Sequence, residues 1–213
     1  NQDKKIETIT SVGKKILVLG HNGDNLSPLP NWPQEMDKKI SDMAIGNMDD
    51  KNNPEIVVNK YNQTSKDYQL FFDYDLARFD ILGEKIGEEI KYQLTNSPVA
   101  NLVLGDFKNK QKDFVSMQTG WCLGFSCYKL PRQYCYNNLG NKIFERVLGY
   151  DAYYSGETRD FLMLKDIDSN NKLESIVSAA TGALIFEEEG INAGWPMEKH
   201  DYCNSNNYNY KCD

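Results

Sequence analysis

"LMLKDIDSNNKLESIV" (162–177) reads as an apolar run, a polar loop and a second apolar run. Asp166, Asp168 and Asn170 stand at alternate positions in the loop, and Glu174 opens the second run. Carboxylate and amide oxygens spaced this way converge when a loop curls around a hard cation. An EF-hand is excluded, because that loop needs a bidentate Glu at its twelfth position and flanking helices. Here the twelfth residue is Val177 and the flanks are "FLML" and "SIVS".

The stretch is not alone. "MAIGNMDDKNNPEIVV" (43–58) and "LVLGDFKNKQKDFVSM" (102–117) follow the same order of apolar run, polar loop, acidic residue and apolar run. Their loops open at Asn47 and Asp106, so the three openings lie 59 and 60 residues apart. "LVLGHNGDN" (17–25), "YCYNNLGNK" (134–142) and "LIFEEEGIN" (184–192) recur in phase as strand, polar turn, Gly and strand. Trp-Pro pairs follow two of these turns, in "LPNWP" (29–33) and "NAGWP" (192–196), and both Trp32 and Trp195 are expected to pack between repeats. Elsewhere Val-, Ile-, Tyr- and Phe-rich runs are punctuated by turn residues, the pattern of many short antiparallel strands. "GEKIGEEIKYQ" (83–93), interrupted by glycine, is read as strand or irregular.

A repeat of about 60 residues with about four short strands is one blade of a β-propeller. A lone four-stranded sheet leaves two apolar faces uncovered, and stacking blades covers each against its neighbour. The predicted fold is therefore all-β and propeller-type. Residues 1–41 hold the back half of a unit, and 42–100, 101–160 and 161–213 are three successive units, roughly three and a half blades in one continuous domain. Closed propellers need about four to eight blades. The chain is thus expected to be part of a larger protein, or a subunit that completes its ring by self-association.

The D-x-D-x-N-N-x-x-E loop of 166–174 between strands, with a later "GWP", resembles the FG-GAP (VCBS) repeats that build integrin α-type propellers and many secreted bacterial proteins. The likeness spans residues 16–199. It implies that the loop binds Ca²⁺ through the side chains of Asp166, Asp168, Asn170 and Glu174 and the backbone carbonyl of Lys172, with water completing the shell. Asn171 stands where the turn usually takes Gly, and Asn is the next-best residue for a left-handed conformation. The other copies depart from the pattern. Asn47, Asp49 and Glu55 are weaker metal candidates, because Lys51 takes the third ligand position. In the second copy Lys108 and Lys110 follow Asp106 in a shorter loop reaching Asp113, and no calcium is expected there.

The bulk properties fit an extracytoplasmic module. Hydrophobic residues make up 40% of 213, which supports a sizeable core. A net charge of −7 and the lack of a basic stripe argue against nucleic acid. Apolar runs such as "ILVL" (16–19) are too short to span a bilayer. The start at Asn1 reads as a processed or truncated end with any export signal removed. Cys122, Cys127, Cys135, Cys203 and Cys212 lie in Tyr- and Asn-rich stretches, and short-range Cys122–Cys127 and Cys203–Cys212 disulfides suit an extracellular, cell-surface or periplasmic location.

No nucleophile elbow, dinucleotide fingerprint, phosphate loop or zinc-protease motif occurs in the sequence. His21 and His200 are the only histidines, so no catalytic residue is assigned. Glu187, Glu188 and Glu189 read as a solvated hairpin tip. Trp121, Tyr128 and Tyr134 are the candidate contacts to a protein or glycan partner, since such rings bury much area for little entropy. The expected function is binding, adhesion or structural assembly at a cell surface on a calcium-stabilised scaffold. The alternative is a lectin or polysaccharide-degrading enzyme on the same scaffold.

Overall fold

The computed structural model describes residues 7–22, 25–46, 48, 54–66, 69–95, 100–108, 111–118, 132–137, 139, 141–147, 162–179, 182–188 and 192–195. Their β-branched and aromatic runs form antiparallel ladders. The first sheet orders β1 (Glu7–Val12), β2 (Lys15–Asn22) and β3 (Asn25–Pro28), with β4 (Gln34–Glu35) also on β2. The second holds β5 (Lys39–Gly46), β6 (Glu55–Lys66), β7 (Gln69–Phe79) and β8 (Ile90–Thr95) in chain order. The third contains β9 (Ala100–Lys108), β10 (Gln111–Gln118), β11 (Arg132–Asn137) and β12 (Lys142–Val147). The fourth contains β13 (Leu162–Lys165), β14 (Glu174–Ala179) and β15 (Gly182–Glu187). The protein is all-β, with several small antiparallel sheets. The 83–93 stretch divides: Gly83 and Gly87 take φ of 84° and 63°, and strand begins only at Ile90.

The sheets pack face on face in chain order, and strand alternation does the sorting. On β6 and β7, Ile56, Val58, Ala77 and Phe79 join Ile16, Val18 and Trp32 of the first sheet's segment. Between them, Val57, Phe72, Tyr74 and Leu76 join Leu102, Leu104 and Tyr136 of the third sheet. The next residues over, Val103 and Cys135, face Leu162, Leu164 and Val177 of the fourth. A run of rings crosses the second interface: Tyr74 lies 5.1 Å from Tyr92, and Tyr92 lies 5.2 Å from Tyr136. Trp32 is buried as the Trp-Pro motif predicts, edge-on to Phe79, and its indole donates to the Ile81 carbonyl at 3.0 Å.

The opening strands of the units come together. β9 lies against both β5 and β13. The approach is close: a Cβ on Gly46 would meet Leu104 Cδ1 at 2.7 Å. Asp42 ties β5 to β9, because one oxygen accepts from Met43 N at 2.8 Å and the other from Leu102 N at 2.7 Å. β16 (Asn192–Trp195) pairs with the free edge of β9, Asn192 opposite Asp106. Its counterpart β3 pairs within its own sheet, so here the open backbone edge of β9 captures a strand that the repeat assigns elsewhere.

Ion pairs brace the second sheet. Lys60 is only 3% exposed, and its ammonium donates to Asp37 at 2.5 Å and Glu89 at 2.9 Å. Burial pushes the Lys60 pKa down, but the two carboxylates outweigh it and hold it above the ordinary value. The Lys60 hydrogen bond holds Asp37 below its ordinary range against burial; burial raises Glu89, but Lys60 and Lys85 together bring it below its own. Lowered carboxylates contribute stability above the ordinary carboxylate range and lose it as pH falls through their folded values. A raised lysine contributes below about 10.5 and loses it as pH rises through its folded value. Lys60→Met should therefore cost about 1–2 kcal/mol at pH 7, discounted because Asp37 is mostly exposed. Urea unfolding should show that difference flat from roughly pH 5.5 to 9.5 and shrinking below about pH 4. An equal loss at pH 3 and pH 7 would show that the cost is packing alone.

Candidate metal site

Ladder register builds the site. Lys165 pairs with Glu174 across β13 and β14, which sets the acid beside the start of the loop that leaves β13. Gly46 and Glu55 occupy the same relation on β5 and β6, and Gly105 and Asp113 on β9 and β10. The first and third loops are equally long. In the second copy the ladder runs on to Lys108 opposite Gln111, with a register shift, so Asp106 and Lys108 lie in the strand. Asn47 and Asp49 lie outside the described residues. Glu55 is 2% exposed and has the Arg78 guanidinium 3.6 Å from its carboxylate, so a protein cation already faces that acid.

In the 166–174 loop the chain curls as the sequence predicts. Asn171 takes a left-handed φ of 65°, and Ser169 joins it at 61°. Backbone amides close on the acids: Asn170 N donates to both Asp166 and Asp168 at 3.1 Å, and Asn171 N to Asp166 at 2.9 Å. Ile167 N donates to Glu174 Oε2 at 2.8 Å. One carboxylate oxygen from each of Asp166, Asp168 and Glu174 then lies within 4.8 Å of the others. This acidic triad can hold a metal ion. Its donors are all oxygen, which suits hard cations of the calcium and magnesium kind.

Glu174 supplies an independent fit. Its residue is only 4% exposed, and its second oxygen, Oε1, has no hydrogen-bond partner among the described residues. A buried carboxylate oxygen without a donor is costly unless a cation meets it. Asn170 donates its amide nitrogen to Asp168 at 3.1 Å and to Glu187 at 3.0 Å, while its oxygen accepts from Lys172 N. The Lys172 ammonium donates to Glu187 at 2.6 Å. That bond holds the Lys172 pKa up, helped by the charges of Glu187, Asp168 and Glu174, and it holds Glu187 down.

Sequence reading missed Glu187 and misplaced Glu188. Glu187 stands directly opposite Glu174 on the same sheet face, an alternation visible in "LIFEE". Glu188 is buried, which corrects the solvated hairpin tip: it pairs bidentately with Arg146 at 2.8 and 3.3 Å and accepts from Ser175. Glu189, Trp121, Tyr128, Cys122, Cys127, Cys203 and Cys212 lie outside the described residues. Tyr134 is half-buried, 6.4 Å from Tyr136 and with the Lys142 ammonium 5.8 Å from its ring centre. Cys135 is fully buried in the core. Comparison of the chain with family models, curated proteins and solved structures finds no match in any of the three.

Glu174→Gln removes the buried charge while keeping shape, and the new amide can donate to the neighbouring carboxylates. In excess chelator, this variant should be as stable as the parent or about 1–2 kcal/mol more stable. Thermal unfolding in chelator is the measurement; a loss of more than about 2 kcal/mol would show that Glu174 is neutralised by the protein itself.

Proposed function

We propose that the chain is a non-catalytic, calcium-stabilised binding module of the FG-GAP type, serving adhesion or assembly outside the cytoplasm. The observation that carries this reading is Glu174 Oε1, buried without a donor among the described residues inside the Asp166–Asp168–Glu174 triad. Asp166, Asp168 and Glu174 hold the ion, with Asn170 turning its amide oxygen inward and the Lys172 carbonyl adding a ligand. Bound calcium supplies positive charge that orders the loop. It performs no chemistry.

The propeller reading draws support from the stack of sheets in chain order and from the gathering of β5, β9 and β13, which would line a central axis. The end sheets also favour it. Ile185 is 53% exposed on the outward face of β15, beside Ile176 and Met163 in the same cross-strand row. Further repeats or a second copy would cover that row, and a protein or glycan partner would then meet the completed surface. A site of this kind, outside the cytoplasm, needs an affinity of only about 10⁻⁴–10⁻³ M.

Calorimetric titration of the whole chain with calcium chloride tests the reading. One saturable site is expected, weakened at least about ten-fold by Asp168→Ala, which removes one charged ligand. Absence of binding by the parent protein, or unchanged binding by the variant, rejects the loop as the site.

A further inference from the structure

Two carboxylates, Glu174 and Glu187, stand directly opposite each other on one sheet face. Like charges so placed repel. Lys165 stands across the ladder from Glu174, and the Lys172 ammonium lies 2.6 Å from Glu187 Oε1. Lys172 belongs to the loop itself and is two residues from Glu174, on a long, flexible and exposed side chain. Asn170 bridges the same groups, donating to Asp168 and Glu187 together. The ammonium and the triad are therefore neighbours, and Glu187 decides where the ammonium rests.

We propose that Lys172 is a built-in competitor for the cation site and that Glu187 holds it aside. The inference rests on the calcium reading above and adds a tuning device to it. With Glu187 ionised, Lys172 pairs across the ladder and leaves Glu174 Oε1 open to an external ion. Without Glu187, the ammonium turns to Asp168 and Glu174, the nearest remaining carboxylates, and blocks that ion. The pair sets the affinity, because an ammonium near a dication repels it even when parked.

A double-mutant cycle read by calcium calorimetry on the full chain tests this. Lys172→Gln should tighten calcium binding roughly three- to ten-fold at low salt, with the gain shrinking as salt rises. Glu187→Gln should weaken binding by a similar factor in the parent background. In the Lys172→Gln background, Glu187→Gln should change affinity by less than about two-fold, because no ammonium remains to be released. Equal weakening in both backgrounds overturns the proposal and makes Glu187 a ligand or a simple source of field. Binding by the parent and Lys172→Gln with the same affinity overturns it while leaving the calcium site intact. Binding by neither rejects the calcium site and the proposal together, whereas binding by Lys172→Gln alone supports both.

Discussion

Strands that are apolar on both faces govern this structure. Val57 and its neighbours Ile56 and Val58 point to opposite sides of one sheet, yet all three are buried. Leu102 and Leu104 alternate with Val103 in the same way. A sheet made of such strands loses about 25 cal/mol for every Å² of apolar surface left in water, so neither face can be open. Stacking the sheets in chain order is the economical solution, because short connections bring each sheet onto the one before it. The opening strands β5, β9 and β13 then meet, and the loops that leave them differ in how each handles one acid.

That acid is fixed by register. Glu55, Asp113 and Glu174 each stand across the ladder from the residue that precedes the loop. Burial of Glu55 and Glu174 at this point forces a choice of counter-charge. Glu55 has Arg78 from the neighbouring strand. Glu174 has one backbone amide on one oxygen and, among the described residues, no donor on the other. The two loops are equally long, but the first opens on Asn47 and carries Lys51 where the third has Asp166 and Asn170, and a protein cation, Arg78, comes with its acid.

Much of this was legible in the sequence. The 59- and 60-residue spacing marked equivalent strands whose ladders share a register, and the left-handed Asn171 followed from its place in the turn. The triad followed from alternate acids. A further echo went unread: "ETITSV" (7–12) matches "ESIVSA" (174–179), and Glu7 opposite Gly20 repeats the pairing of Glu174 with Glu187. Other features were hidden because they depend on partners distant in the chain. Nothing local marks Arg78 as the mate of Glu55, or Arg146 as the mate of Glu188. Three adjacent glutamates look uniformly solvated until the strand's alternation sends one inward. The destination of β16 depends on which sheet edge is open, which a repeat cannot specify.

The Arg146 contact also limits what a metal ion has to do. The Arg146 guanidinium lies 4.2 Å from the Phe186 ring centre and grips Glu188, while Gln133 reaches across the sheets to Ser175 at 3.1 Å. Glu188 N donates to the Leu173 carbonyl at 2.7 Å, pinning the end of the loop to the hairpin. Buried, mutually satisfied groups of this kind hold the third and fourth sheets together without any ion. The stretch from Asp166 to Asn171 is held more lightly: its amides close mostly on its own carboxylates, with Ile167 N on Glu174 and the Asn170 amide on Glu187 as its ties to the neighbouring strands. A cation held there would order the loop and relieve one buried charge, while the sheet interface below rests on protein contacts. Metal binding at such a loop would couple only weakly to folding, in contrast to small domains that collapse when their ion is removed.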